Sequence, residues 1–338
     1  MEEVWVTVHP TIADGIARAR AGDSEAFRRL TDPHRRELQL HCYRMLGSFQ
    51  DAEDALQDTL LSAWQAIGRF EGRASVRTWL YSIATNRCLN ARRSASSRRA
   101  KEWNVPGVEP PEPSRMGDIV WLQPFPDVFL AGETTPESWV EQTETMSLAF
   151  VTALQTLPPR QVAVLILRDV LGFHANEVAE MLHSTVDAVN GALKRGRAGL
   201  RRRQRTGETP PLPLSPDETA IVENFVRAYQ SADVQSVVAL LTDDVFISMP
   251  PMPFEYEGPE AAAALCGSIF GAGRRFELLA TRANGQPAFG TYLKTSDGTR
   301  RGTGLLVLTL SGDRISAMTR FEGTVLPWFG LPRSLPAR

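Results

Sequence analysis

Along residues 11–94 apolar side chains return at three- and four-residue steps, and the rhythm is interrupted at Gly22, Asp32-Pro33, Gly47 and a loop around Gly72. This pattern predicts an all-helical domain over residues 11–100. From 104 to 145 the period disappears among prolines, in "NVPGVEPPEPS" and "LQPFPDVF". A linker is expected over 101–143, although Trp121, Leu122, Phe125, Val128 and Phe129 give it apolar surface with which to bind something. Helical periodicity resumes at about 138 and defines a second all-helical domain, 144–205. It stops at "TGETPPLPLSP", a second Pro-rich hinge over 206–215. Beyond it two helices, 217–231 and 234–241, precede alternating runs with turn signals, "VFISMP", "RRFELLATRANGQPAFGTYLK" and "GTGLLVLTLSGDRISAMTRFEG". The expected fold is therefore multidomain: two all-α domains and an α+β domain over 216–338.

The helical signal is clearest in "DAEDALQDTLLSAW", residues 51–64. Ala52, Ala55, Leu56, Thr59, Leu60, Ala63 and Trp64 form one apolar stripe. Asp51, Asp54 and Asp58 share the outer face, with Glu53 and Gln57 beside them. The helix macrodipole accounts for acids in the first turn, at about 0.3–1 kcal/mol each, but Asp58 lies beyond its reach. Two readings stand at this point: a solvated face near a helix start, or a docking surface for a basic or amide-rich partner helix. A catalytic carboxylate pair is disfavoured, because nothing nearby would raise one pKa or enclose a substrate.

Charge sharpens the picture once it is divided along the chain. The total is −2, yet residues 1–103 carry +3, 104–147 carry −7, 148–205 carry +5 and 206–338 carry −3. Two basic blocks flank an acidic one, as expected of two anion-binding surfaces held apart. Cys42, Cys88 and Cys266 are widely separated and have no metal-ligand spacing, so neither a disulfide framework nor a metal site is expected. The acidic start "MEEVWVTV" does not read as a secretory signal and no run is long enough to cross a bilayer, so a cytoplasmic protein without membrane contact is expected.

In the first basic block, "RFEGRASVRTWLYSIATNRCLNARRSASSRRAK", nine Lys/Arg stand against one acid with Phe70, Trp79 and Tyr81 interleaved. Cations follow phosphates and aromatic faces receive unstacked bases, so the mixture suits DNA being opened; Trp79 is expected in the core. In the second block, Pro158-Pro159 begins a helix and Leu171-Gly172-Phe173 breaks it. A short helix from about 175 to 182 follows, and Ser184 or Thr185 caps a third. This is a helix-turn-helix pattern, with Val178, Ala179, Leu182, Val186, Val189 and Leu193 expected between its helices. Its last helix offers Asn190, Lys194, Arg195 and Arg197 to DNA. Gly191 and Gly196 lie inside that helix at about 1 kcal/mol each relative to Ala. His174 and His183 are expected as capping or surface groups.

The order of "DAEDALQDT", "RFEGRASVRTWLYSIATN", "LNARR" and a distant helix-turn-helix resembles sigma-70-type RNA polymerase sigma factors of the extracytoplasmic-function group, and "VWLQPFPD" resembles the linker of their sigma-G type. The resemblance implies region 2 followed by region 4. It implies contact of Asp51, Glu53, Asp54, Gln57 and Asp58 with core RNA polymerase. Phe70, Arg73, Ser75 and Arg77 would form a loop that captures a flipped base of the minus-ten element, with Asn86, Asn90, Arg92 and Arg93 also on promoter DNA. Asn190, Lys194, Arg195 and Arg197 would read the minus-thirty-five element. Elements about 25 base pairs apart lie roughly 80 Å apart, so the acidic linker is expected to be stretched, lying in a basic polymerase channel.

The last domain resembles the SnoaL-like (NTF2-like) fold in its paired helices, "EYEGPEAAAAL" and late hairpins. Some relatives of that fold are cyclases or isomerases that use His/Asp pairs. Here all five histidines, His9, His34, His41, His174 and His183, precede the domain. A regulatory role, through a small apolar ligand or an intramolecular contact, is expected instead of catalysis by an acid such as Asp243 or Glu257. No catalytic residue, cofactor or metal is assigned. The tail "LPWFGLPRSLP" is expected to pack on one of the helical domains. Two rival readings are a stand-alone helix-turn-helix regulator with a ligand-sensing domain, and a DNA-tethered SnoaL-type cyclase or isomerase.

Overall fold

Capping chemistry sets the N-terminal helices. In the computed structural model, which describes residues 10–95, 100–103, 105, 108–117, 121–130, 142–202, 208–271 and 273–337, these are α1 (Pro10–Arg20), α2 (Ser24–Leu46), α3 (Phe49–Ala66) and α4 (Val76–Ala95). The Asp23 carboxylate accepts the Glu25 and Ala26 amides at 3.0 Å each to begin α2. Gly47, at φ 70°, ends that helix by donating to the Tyr43 carbonyl, a conformation a side chain would strain. Ser48 then accepts the Asp51 amide at 3.1 Å and starts α3. The expected break at Asp32-Pro33 does not occur, since α2 runs through Pro33. Proline removes one helical hydrogen bond there, but the rest of α2 buries Leu38, Leu40, Cys42, Tyr43, Met45 and Leu46, which outweighs the loss. On α3 the predicted stripe faces inward: Ala52, Ala55, Leu56, Thr59 and Ala63 are buried, and Trp64 meets Phe27 edge-on at 5.1 Å.

The chain forms two compact units, Met1–Arg98 with Ala153–Arg203, and Arg99–Thr152 with Gln204–Arg338. Within the first, His41 of α2 is fully buried, its Nε2 2.9 Å from Thr85 Oγ1 of α4 and its ring edge-on to Tyr81. Burial, with Arg44 nearby, depresses its pKa to about 3. The unfolded chain protonates this imidazole near its ordinary value of 6.5 whereas the folded chain does not. Between those values the unfolded state holds more protons, so packing of α2 on α4 is at full strength above about pH 6.5. It weakens by about 1.4 kcal/mol for each unit the pH falls toward 3. Hydrogen exchange in α2 and α4, corrected for intrinsic rates, should accelerate from pH 7 to pH 5; constant protection would refute this.

The same unit contains the end of α5 (Leu148–Gln155), α6 (Pro159–Leu165), a π-type turn (Ile166–Val170), α7 (Ala175–Met181) and α8 (Val186–Arg201). Thr185 caps α8 by accepting the Ala188 amide at 3.2 Å, and Glu177 caps α7 by accepting the His174 amide at 2.7 Å. Val178, Ala179, Leu182, Val189 and Leu193 are buried as expected; Val186 is not, because it is the first residue of α8 and is 42% exposed. A Cβ on Gly196 would sit 3.4 Å from the Gln161 carbonyl of α6 and one on Gly199 would sit 2.6 Å from Leu157. These glycines let α8 approach its neighbours closely.

The second unit is built on one sheet. β1 (Arg115–Met116), β2 (Leu241–Met249), β3 (Met252–Glu257), β4 (Phe276–Ala283), β5 (Gln286–Lys294), β6 (Arg300–Ser311) and β7 (Arg314–Glu322) follow the order β1-β3-β2-β7-β6-β5-β4, with β8 (Ser334–Leu335) added to β6. β2 and β7 pair in parallel and the other ladders are antiparallel. α9 (Pro216–Ser231), α10 (Val234–Ala239) and α11 (Pro259–Gly271) cover one face, where Phe225, Val237, Leu265, Phe270, Phe289, Leu306 and Met318 share a core.

One expectation, for the tail, is corrected here. The described parts of the linker fold onto this sheet. β1 extends the sheet beside β3, and the Tyr256 hydroxyl donates to the Pro111 carbonyl at 3.1 Å. Phe125 is fully buried; its amide donates to Asn284 Oδ1 at 2.8 Å and its carbonyl accepts the Asn284 amide at 2.9 Å. Asn284 Nδ2 also donates to the Met146 carbonyl at 2.7 Å, so a single hairpin residue binds the chain at Phe125 and again at Met146. The tail, likewise, packs on its own domain: Tyr292 Oη donates to the Pro332 carbonyl at 2.8 Å and the Gly302 amide to the Arg333 carbonyl at 2.9 Å. In both segments apolar residues separated by prolines take backbone partners from an adjacent sheet edge or turn, which periodicity does not reveal.

Candidate functional site

The outer face of α3 carries Asp54, Gln57 and Asp58 exposed, with Asp51 and Glu53 partly exposed. Leu61, one turn beyond Asp58 (Ser62 Oγ bonds the Asp58 carbonyl at 2.6 Å), is 56% exposed, an apolar side chain continuing the acidic row. No ion pair involves Glu53, Asp54 or Asp58 among the described residues. Periodicity located the acids; it gave no separate signal for Leu61, which simply falls on the solvent side of the same helix. An apolar residue flanked by unpaired acids is the arrangement of an anchor with a charged rim.

The residues ascribed to minus-ten binding divide into two groups. Arg73, Ser75, Asn90 and Arg93 are at the surface. Arg73 meets Glu71 at 2.9 Å, Ser75 caps α4 by accepting the Thr78 amide at 3.0 Å, and Asn90 accepts from Arg93 at 3.3 Å. The remaining four are engaged inside the unit. Phe70 is buried against Trp79, ring centroids 4.7 Å apart, in a cluster with Ile16, Ala19, Ala26 and Ile67. Arg77 donates to Glu37 at 3.0 Å and lies over the rings of Tyr81 and Phe173, 4.9 and 5.0 Å from their centroids. Asn86 Nδ2 donates to the Ser82 carbonyl at 2.8 Å and to the Met181 carbonyl at 3.1 Å. Arg92 reaches the carbonyls of Met45, Gln155 and Leu157 at 3.0, 3.2 and 3.1 Å, and burial lowers its pKa. In this arrangement α4 therefore uses donors otherwise suited to DNA to hold α5 and α7.

On α8, Asn190, Lys194 and Arg195 are all exposed. Gly191 leaves room there for Arg195, whose Nη1 is 3.4 Å from where a Cβ would stand. Arg197 differs. It forms a two-pronged pair with Asp169 at 2.8 and 2.6 Å, which raises its pKa through hydrogen bonding and charge. Sequence spacing grouped it with the three exposed donors because it could not show the acid opposite.

Among the described residues no group of His, Cys, Asp and Glu is arranged to hold a metal ion, and no helix is long and apolar enough to cross a membrane. Known families cover most of the chain. Residues 30–98 match Sigma-70 region 2, residues 147–200 match Sigma-70, region 4, and residues 222–321 match the SnoaL-like domain. Over 331 residues the chain is 39% identical to ECF RNA polymerase sigma factor SigG of Mycobacterium tuberculosis, spanning 94% of this chain and 86% of that protein. It is 29% identical over 190 residues to ECF RNA polymerase sigma factor SigW of Bacillus subtilis, spanning 56% of this chain and 95% of that one. The crystal structure of Mycobacterium tuberculosis extracytoplasmic function sigma factor SigJ superposes with a TM-score of 0.58 at 19% identity, over 89% of this chain and 96% of the other, a likeness of fold.

Proposed function

The chain belongs to the extracytoplasmic-function RNA polymerase sigma factors, which bind core polymerase and direct initiation at promoters, and on that premise we propose which of its surfaces do so. α3 docks on core polymerase through Glu53, Asp54, Gln57 and Asp58, with Asp51 at the helix start and Leu61 as an apolar anchor. The observation carrying this assignment is the acidic row at the surface of α3, in which Glu53, Asp54 and Asp58 form no ion pair among the described residues. Residues 11–100 and 144–205 act as the two promoter-binding segments, and 216–338 as a regulatory domain to which the described parts of the 101–143 segment are fastened; 206–215 is the hinge. The protein performs no chemistry in this reading.

The test is in vitro transcription by core polymerase on a pool of genomic promoters, with and without the full-length protein. A defined set of start sites should appear only when it is added; failure to redirect polymerase would overturn the assignment.

On α8, base-edge readout falls to Asn190, Lys194 and Arg195, with Arg197 holding the helix to Asp169 instead. Arg195→Ala should weaken binding of minus-thirty-five DNA by about 5- to 150-fold, the equivalent of about 1–3 kcal/mol for one good base contact. Arg197→Ala should have a smaller effect on binding. Competition binding at fixed salt measures both, and equal losses would refute the distinction.

A further inference from the structure

A positive charge enters the apolar core of the C-terminal domain. Arg320 of β7 is registered against Leu306 of β6, and Leu306 against Phe289 of β5. Residues directly opposite across a sheet share a face. Leu306 and Phe289 belong to the core that packs on Phe225 of α9 and Phe270 of α11, so Arg320 points toward the helices.

Only part of its hydrogen-bonding capacity is met there. Nη2 donates to the Thr303 carbonyl at 3.0 Å, whereas Nη1 is buried without a hydrogen-bond partner among the described residues. No carboxylate among them forms an ion pair with Arg320; Glu322, next on that face of the strand, receives Lys101 at 2.7 Å. Burial is the largest influence on Arg320 and lowers its pKa; the Tyr229 phenol and the Glu322 carboxylate pull it back up, and the positive charge of Arg274 adds to burial. Tyr229 of α9 is the neighbouring phenol, pushed up by burial and pulled back by Arg320. Phe270 and Phe276 flank the Tyr229 ring at 5.1 and 5.7 Å.

A buried guanidinium with an open donor is costly unless an anion completes it, and a carboxylate matches its planar fork. We propose that this end of the C-terminal domain binds a small organic carboxylate, with its anionic group on Arg320 and its apolar body against Tyr229, Phe270 and Phe276. The site is independent of the polymerase and DNA surfaces, so its test neither depends on them nor tests them.

The experiment is calorimetric titration of the full-length protein with matched acid and amide pairs: benzoate and benzamide, phenylacetate and phenylacetamide, 1-naphthoate and 1-naphthamide. At least one carboxylate should bind about tenfold or more tightly than its amide. Arg320→Met should abolish that preference and Arg320→Lys should retain part of it. Should Arg320→Met fail to fold, the acid-to-amide ratio in the unaltered protein decides by itself. Absence of binding by every carboxylate at millimolar concentration, or equal binding of acid and amide, would overturn the proposal and leave Nη1 to a structural water.

Discussion

Lysine in place of aspartate at both Asp54 and Asp58 should reduce affinity for core polymerase by on the order of 100-fold or more, from like-charge repulsion of several kcal/mol at a complementary interface. Both side chains are exposed, and the start of α3 is secured separately by Ser48, so the fold has no reason to fail. Substitutions at such positions change stability by about 0.5 kcal/mol or less. Co-elution with core polymerase at low ionic strength reads the effect, and circular dichroism confirms the helices. The neutral Asp54→Asn/Asp58→Asn pair should lose less and become less sensitive to salt. Undiminished co-elution of the lysine variant would remove α3 as the docking surface.

The second large effect concerns the segment fastened to the C-terminal domain. Phe125→Ala removes a fully buried ring, a change worth about 3–5 kcal/mol. Asn284→Ala withdraws partners from the Phe125 amide and the Met146 carbonyl, each left unsatisfied at about 1–3 kcal/mol. Either change should speed hydrogen exchange over 121–130 by on the order of 100-fold, because opening this segment no longer has to break those contacts. Strands β5 and β6 should keep their protection. Unchanged exchange at 121–130 in both variants would show that the segment is held by something else.

Much of this molecule was legible because its helices obey local rules. The α3 stripe, the break at Gly47 and the Thr185 cap all follow from residue type and spacing. Long-range partners were not legible. Nothing in "LQPFPDVF" names Asn284, 159 residues away from Phe125, and proline had hidden the segment from any periodic reading. Asp169 opposite Arg197, and the carbonyls that engage Asn86 and Arg92, were invisible for the same reason. Gly196 looked like a propensity defect until α6 was seen against it. Arg320 had no sequence signal beyond a charge inside an alternating strand, and its oddity emerges only from the register of β5, β6 and β7.

The bonds from Asn86 to Met181 and from Arg92 to Gln155 and Leu157 have a further consequence. Were a nucleotide to claim either side chain, it would first have to evict a main-chain oxygen, so DNA contact through these nitrogens and the internal clasp would exclude each other.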